Sequence, residues 1–385
     1  MADRFPRTVY DADHEQLRAT VRSFIATEVA PHHDDWERAG VVDRDLYRRA
    51  GDHGLLLPAT PEEHGGAGVG DWRFCAVLDE EFARSGYAAA GLGIALHNDV
   101  VGPYLLDLTT DEQKRRWLPG ATSGELVGAI AMTEPGTGSD LSGIATRAVR
   151  DGDDFVVDGA KTFISSGQLA DLVVLATRTS PERHRGLTLF VVEADTPGFT
   201  RGRNLDKLGL HAQDTSELSF TGMRVPAANR LGEEGEGFLQ LVRNLPQERL
   251  SLAVTAVSAA EGVLARTLEY VAERTAFGRP VGSFQNSRFL LAELRTELDI
   301  ARVFVDRCVE LHARGELTAV QAAEAKWWTT ELQVRVADRC LQLHGGYGYM
   351  REHPVGRAFV DARVQTIYGG TTEIMKEIIG RDLGL

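Results

Sequence analysis

Leu126–Asp140, LVGAIAMTEPGTGSD, is where the period of the chain changes. Upstream, apolar residues recur at helical spacing. From Asp13 to Ala30, Leu17, Val21, Phe24 and Ile25 share a face, and Pro31 is expected to end the helix. Asp43–His53, Phe74–Arg84, an Ala/Gly-rich run through His97 to Leu106, and Thr110–Trp117 follow in the same pattern, the last opened by TTDEQ. From Ala129 the segments become short and β-rich: Ala129–Met132, Thr146–Val149, Phe155–Val157, Lys161–Ile164, Leu172–Ala176, Thr188–Val192 and Leu218–Phe220. Asp151–Gly152, Asp158–Gly159, Ser166–Gly167 and Pro197–Gly198 are read as the turns between them. Such a series predicts an antiparallel sheet or barrel.

After Gly237 the helical period returns. Leu290, Leu294, Leu298, Ala301 and Val305 form one stripe, and Leu332, Val336, Cys340 and Leu343 another. Short links such as ARGELT suggest an up-and-down bundle. The order helical, β, helical predicts an N-terminal all-α domain (1–126), a middle β-sheet or barrel domain (127–237) and a C-terminal helical bundle (238–385).

Composition narrows the function. With 385 residues, 43% apolar and 25% charged, the chain is globular and long enough for more than one core. A net charge of −14 argues against a nucleic-acid partner and lends nothing to a membrane-surface site. Cys75, Cys308 and Cys340 are far apart and show no metal spacing, so no metal is expected, and buried thiols in a reducing compartment fit best. The first residues lack the apolar core of a signal peptide, and no window looks long and apolar enough to span a bilayer, which points to the cytoplasm.

Several stretches carry candidate chemistry. AMTEPGTGSD (Ala131–Asp140) offers two glycines and three hydroxyls, suited to a flat polar ring or a phosphate, or to a tight turn alone. KTFISSG (Lys161–Gly167) places Phe163 and Ser165 on one face of a strand. ERTAFGRPVGSFQ (Glu273–Gln285) groups Arg274, Phe277 and Gln285 around a Gly/Pro loop, and arginine is well shaped to grip a pyrophosphate. QLHGGYGYM (Gln342–Met350) leaves room for close backbone approach at Gly345 and Gly346, or caps a helix. IYGGTTEIM (Ile367–Met375) enters a last helix that Thr371 or Thr372 can cap. PEEHGGAGVGDW (Pro61–Trp72) is no dinucleotide fingerprint, because Asp71 stands where a third spaced glycine would be needed. In NLPQERLSLA (Asn244–Ala253), Asn244 and Pro246 read as a helix start. Glu248 there is either a surface charge beside Arg249 or an acid set in a pocket.

Taken in order, these blocks resemble the acyl-CoA dehydrogenase family over essentially the whole chain from about Asp13. LPQERL, VFVDRC, VDARVQ and IYGGTTEIMKE look most like the long-chain branch. The resemblance implies a C-terminal four-helix bundle, an FAD cofactor, a homotetramer arranged as a dimer of dimers, and oxidation of the Cα–Cβ bond of an acyl-CoA. It also implies electron-transferring flavoprotein as the partner that reoxidises the flavin. Carried over, Met132, Thr133, Ser139, Phe163 and Ser165 line the isoalloxazine. Arg274, Phe277, Gln285, Gln342 and Gly346 reach the adenosine-diphosphate half from a neighbouring subunit. Thr371 contacts FAD in its own subunit, and Glu373 stands where several relatives have glutamine. Ser139, Arg249, Tyr368 and Gly369 lie along the thioester.

One departure points to the mechanism. Medium- and short-chain members carry the catalytic glutamate in the last loop, as YEGT. Here that position is Gly369, in YGGT, so the base implied is Glu248, with Gly369 offering its backbone N–H to the thioester carbonyl. The competing implications are an acyl-carrier-protein substrate, a non-catalytic flavin-binding scaffold, and an oxygen-using flavoenzyme, whose base would more naturally be an aspartate in that loop.

Overall fold

The computed structural model describes residues 5–385. Helices come first: α1 (Ala12–Phe24), α2 (His33–Ala39), α3 (Asp45–Asp52), α4 (Arg73–Ser85), α5 (Ala88–Ala95), α6 (Gly102–Asp107) and α7 (Asp111–Ser123). Thr110 and Gln113 form the capping box that TTDEQ predicts at the start of α7. The first helix ends before Pro31, because Ile25–Val29 winds into a π-turn. Pro61–Trp72 holds turns and one short 3₁₀ turn, as its glycines suggest. Val21, Phe24, Leu46, Leu78, Phe82 and Ile94 close the core of this layer.

The middle of the chain folds into one sheet of β1 (Gly128–Ala131), β2 (Arg147–Asp151), β3 (Asp154–Ser165), β4 (Leu172–Arg178), β5 (Leu187–Glu193), β6 (Phe199–Asn204), β7 (Thr215–Pro226) and β8 (Arg230–Leu231). Its order is β6-β7-β3-β2-β4-β5-β8, with β1 beside β4. Two expectations need correction, and one strand has no counterpart among them. The sheet is mixed, not antiparallel throughout: β1 runs parallel to β4, Gly128 facing Leu172, because the intervening loop and β2–β3 hairpin form a crossover. Asp158–Gly159 is no turn between strands; β3 runs through it, and the pairing with β7 slips there as a bulge. β6 went unread because FTRGRN is a largely exposed edge strand without apolar alternation.

The last third is helical. α8 (Gly237–Glu273) is followed by a small hairpin, β9 (Thr275–Ala276) and β10 (Arg279–Pro280), then α9 (Gln285–Ala313), α10 (Ala319–His344), α11 (Pro354–Val364) and α12 (Thr372–Asp382). Leu294, Leu298, Ala301 and Val305 of α9 and Leu332, Val336 and Cys340 of α10 pack against Leu250, Val254 and Val257 of α8. All three cysteines are buried free thiols. Glu80 of α4 is fully buried and accepts from Arg7, Arg18 and Arg302, which pins the first helical layer to the bundle.

Two further readings change at α8. The helix does not begin near Asn244: it is 37 residues long with Pro246 inside it. The proline removes one backbone donor, but Leu241, one turn earlier, is buried against Trp117, Leu187 and Leu189, and that packing carries the helix across. Contrary to the hydropathy reading, α8 is long and apolar enough by composition to cross a bilayer, yet 67% of its most apolar window is buried in the protein. It is the central core helix of the bundle.

Candidate active site

Glu248 sits one third of the way along α8, with 7% of its surface exposed. Its carboxyl faces the buried ring of Tyr104 on α6, and Oε1 makes no hydrogen bond of acceptable geometry. Burial pushes its pKa up to about 7, with Arg249 and the Tyr104 hydroxyl pulling weakly the other way. A carboxyl buried this way can take a proton near neutral pH.

The loop after α11 closes over this part of α8. Arg249 Nε donates to the Gly369 carbonyl at 3.3 Å, and the fully buried Lys326 Nζ donates to the Gly370 carbonyl at 2.7 Å. Gly369 and Gly370 both have positive φ, +64° and +99°, which glycine adopts freely. A Cβ at 369 would lie 2.4 Å from Leu252 Cδ1. Leu252 is one helical turn beyond Glu248, so the space left by the missing side chain opens onto the face that carries the carboxyl. Thr371 then caps α12 by accepting from Ile374 N. Glu373, in the first turn of α12, is exposed, and Tyr368 is half-buried with its hydroxyl enclosed.

The AMTEPGTGSD loop is held from below by a buried ion pair. Lys161 Nζ donates to Glu134 Oε1 at 2.8 Å and to the Met132 carbonyl at 3.0 Å, while Glu134 accepts from the backbone N–H of Ala145 and Thr146. Thr162 N donates to the Thr133 carbonyl, joining this loop to β3. Phe163 does not lie on a regular strand face: the β3–β7 register slips between Lys161 and Ile164, and Phe163 has φ +59°. Its ring is 66% exposed beside half-buried Ser165. Met132 and Thr133 are half-buried and Ser139 is exposed. Together these residues present an uncovered aromatic, hydroxyls and a glycine-rich backbone, which fits a flavin ring.

The remaining cofactor candidates are elsewhere. ERTAFGRPVG is not a plain loop but the β9–β10 hairpin, with Phe277 and Gly278 at positive φ and Phe277 95% exposed at its tip. The Arg274 guanidinium lies 5.9 Å from the Tyr347 ring centroid, which brings the hairpin to the Gln342–Gly346 turn. Gln285, Gln342 and Gly346 are exposed, and nothing would obstruct a Cβ at Gly346. Along α8, Arg274 is roughly 40 Å from Glu248 at 1.5 Å per residue. So the structure sets Arg274 and the turn it meets far from Glu248 within one chain.

Tyr104, Lys161, Glu134 and Lys326 were not anticipated. Lys326 left a trace, as a lone lysine in AAEAKWW; Tyr104 left none, because its role comes from how α6 packs on α8. For the Lys161–Glu134 pair, Lys161→Met is expected to destabilise by about 3–5 kcal/mol, the usual cost of stripping one partner from a buried pair. The variant should also lose flavin on desalting. Wild-type melting and full flavin occupancy would show that the pair does not hold the loop.

Comparison with known proteins bears on this geometry. Models of the acyl-CoA dehydrogenase N-terminal, middle and C-terminal domains match residues 11–125, 129–223 and 235–384. The long-chain specific acyl-CoA dehydrogenase, mitochondrial, of Sus scrofa is 48% identical over 380 residues, covering 98% of this chain and 88% of the relative. A crystal structure of an acyl-CoA dehydrogenase from Geobacillus kaustophilus is 48% identical, with TM-score 0.96, covering 99% of this chain and 100% of that one. A glutaryl-CoA dehydrogenase from Mycobacterium smegmatis, solved in complex with FADH2, is 28% identical with TM-score 0.90, covering 97% and 95%.

Proposed function

The chain belongs to the acyl-CoA dehydrogenase family of FAD-dependent oxidoreductases, and on that premise we propose that Glu248 is the base that removes the α-proton of an acyl-CoA thioester. Bound FAD supplies the acceptor for the β-hydrogen, which leaves as hydride. The observation that carries the proposal is the buried Glu248 carboxyl, its Oε1 without a hydrogen-bond partner and its pKa pushed up to about 7, opposite a loop whose own position 369 has no side chain.

The remaining work falls to this chain's residues. The Cα–H bond breaks toward Glu248, which holds the proton, and negative charge develops on the thioester carbonyl oxygen. The N–H of Gly369 would donate to that oxygen, as the family resemblance implies, and Arg249 holds the loop by donating to the Gly369 carbonyl. Tyr104 and the apolar wall of α8 exclude water, which keeps the carboxyl basic enough. Ser139 and Tyr368 flank the thioester. Met132, Thr133, Phe163, Ser165 and Thr371 hold the flavin half. Glu373, exposed in the first turn of α12, borders that flavin site. As the family resemblance implies, Arg274, Phe277, Gln285, Gln342 and Gly346 grip the other half of a cofactor bound to a second copy, and the roughly 40 Å between Arg274 and Glu248 along α8 is in keeping with that. Cofactor binding then requires at least a dimer. The family resemblance supports electron-transferring flavoprotein as the acceptor, and three free buried thiols fit the cytoplasm.

Anaerobic titration with a panel of acyl-CoAs, and with the matching acyl-carrier-protein thioesters, tests the reading: the acyl-CoAs should bleach the flavin. No bleaching by any thioester would leave a binding scaffold instead. The rate of bleaching should also rise with pH through about 7, because only ionised Glu248 accepts the proton. A rate flat from pH 5 to 9 would remove Glu248 from the step.

A further inference from the structure

Lys326 is a buried charge to which the reaction described above gives no task. It lies in α10 among Ala322, Ala323, Ala325, Thr329 and Thr330, all fully buried, and it exposes no surface itself. Its ammonium can donate three hydrogen bonds and makes one, to the neutral carbonyl of Gly370 at 2.7 Å. The charged groups that face it are Arg249 from α8, Glu331 on its own helix and Glu373 at the start of α12. Glu331 Oε1 is already taken by the Thr372 hydroxyl at 3.1 Å. Burial, with Arg249 adding repulsion, pushes the Lys326 pKa down to about 8. A methionine would fill the same space without the cost of a buried charge. The lysine therefore calls for a role that needs a cation.

What it holds is the loop opposite Glu248. Arg249 and Lys326 bind two successive carbonyls of that loop, Gly369 and Gly370. In a trans peptide the N–H points away from the C=O. The grip on the Gly369 carbonyl therefore orients the N–H of Gly370, and the grip on the Gly370 carbonyl orients that of Thr371. Among the described residues, the N–H groups of Gly369, Gly370 and Thr371 meet no acceptor. Those on either side do: Tyr368 N donates to the Val364 carbonyl and Thr372 N to the Thr366 carbonyl. Two adjacent glycines at positive φ have little stiffness of their own, so the two cations supply it. A cation on the carbonyl end of a peptide also polarises the N–H at its other end.

We propose that Lys326 is a positioning residue of the dehydrogenation: with Arg249, its ammonium clamps the Gly369–Gly370 turn and keeps the loop's free N–H groups in place for the negative charge that forms on the thioester oxygen. The inference rests on the Glu248 reading above for the reaction it serves. Lys326 acts through the loop, since the loop carbonyl is its one bond. The clamp works while the ammonium is charged. A neutral amine keeps at most an ordinary hydrogen bond, about half as strong, and no longer polarises the peptide. The rate then depends on two protons in opposite senses. Glu248 must have lost its proton, and Lys326 must keep its own. With one group at about 7 and the other at about 8, flavin reduction should peak between them and fall on the alkaline side.

The test compares FAD-loaded wild type with Lys326→Met, which keeps the stem and removes the charge. Rapid mixing with palmitoyl-CoA gives the limiting rate of flavin reduction and the half-saturating concentration. At pH 7.5 the variant's limiting rate should fall about tenfold while half-saturation stays within about threefold, because the clamp serves the transition state rather than binding. The wild-type rate should fall again above pH 8, and the variant's should level off there. A variant as fast as wild type, or one that loses only affinity, would overturn the proposal. If Lys326→Met does not fold, wild type alone decides: a rate that holds level from pH 8 to 10 would overturn it. Hydrogen exchange reads the clamp without the reaction. The bonded amides of Tyr368 and Thr372 should exchange about tenfold faster in the variant, and equal exchange would refute the clamp. Faster exchange in a protein whose wild-type flavin no thioester bleaches would refute the dehydrogenation instead, and with it the task assigned to the clamp.

Discussion

Glu248→Gln should stay folded and yellow while losing flavin reduction by acyl-CoA by about 10²–10⁴-fold, the range for a general base. The substitution keeps the shape beside Tyr104 and removes only the ability to take a proton. Stability adds a second, independent sign. The folded protein raises the Glu248 pKa from 4.5 to about 7, so between those values the native state holds a proton the unfolded chain has released. Stability therefore falls as pH rises through that window, by up to about 3 kcal/mol at about 1.4 kcal/mol per pH unit. Glutamine has no such cost. The variant should melt no lower than wild type at pH 8, with any advantage gone at pH 4. Rapid-mixing reduction and thermal scans at the two pH values measure both effects. Turnover retained at the wild-type rate would sink the assignment, and a lower melting temperature at pH 8 would mean that Glu248 makes a bond the structure lacks.

The sequence made this residue legible through an absence elsewhere. Gly369 leaves the last loop without a carboxylate, and Glu248 is the acid the family resemblance puts in its place. Its setting is not legible in the sequence, since Asn244 and Pro246 imitate a helix start; the burial of Leu241 that overrides the proline depends on a sheet distant in sequence. The same limit governs the rest. Periodicity reports faces, so the helical, β, helical order and the two bundle stripes could be read directly. It does not report which faces meet. Tyr104 against Glu248 and Lys326 under Gly370 arise only when separate elements pack. The β9–β10 hairpin looked like a loop because its strands are two residues each, too short for any alternation.

Moving the base to the last loop should not restore the enzyme. In Glu248→Gly/Gly369→Glu, the carboxylate returns to the position that medium- and short-chain members of the family use, in a backbone shaped for glycine. Position 369 has φ +64°, where an L residue costs roughly 1–2 kcal/mol. Its Cβ would sit 2.4 Å from Leu252 Cδ1, so Leu252 must turn out of the face it shares with position 248, at about 1–3 kcal/mol for an overpacked site. Whatever part of that strain is felt in the transition state costs about tenfold per 1.4 kcal/mol. The double variant is thus expected to reduce its flavin at least tenfold more slowly than wild type and to melt at a lower temperature. Adding Leu252→Ala removes the clash but not the φ penalty, so it should recover part of the rate and no more. Reduction kinetics across the three proteins decide the matter. A double variant as fast as wild type would show that the loop relaxes at no cost, and that Gly369 reflects no steric constraint from α8.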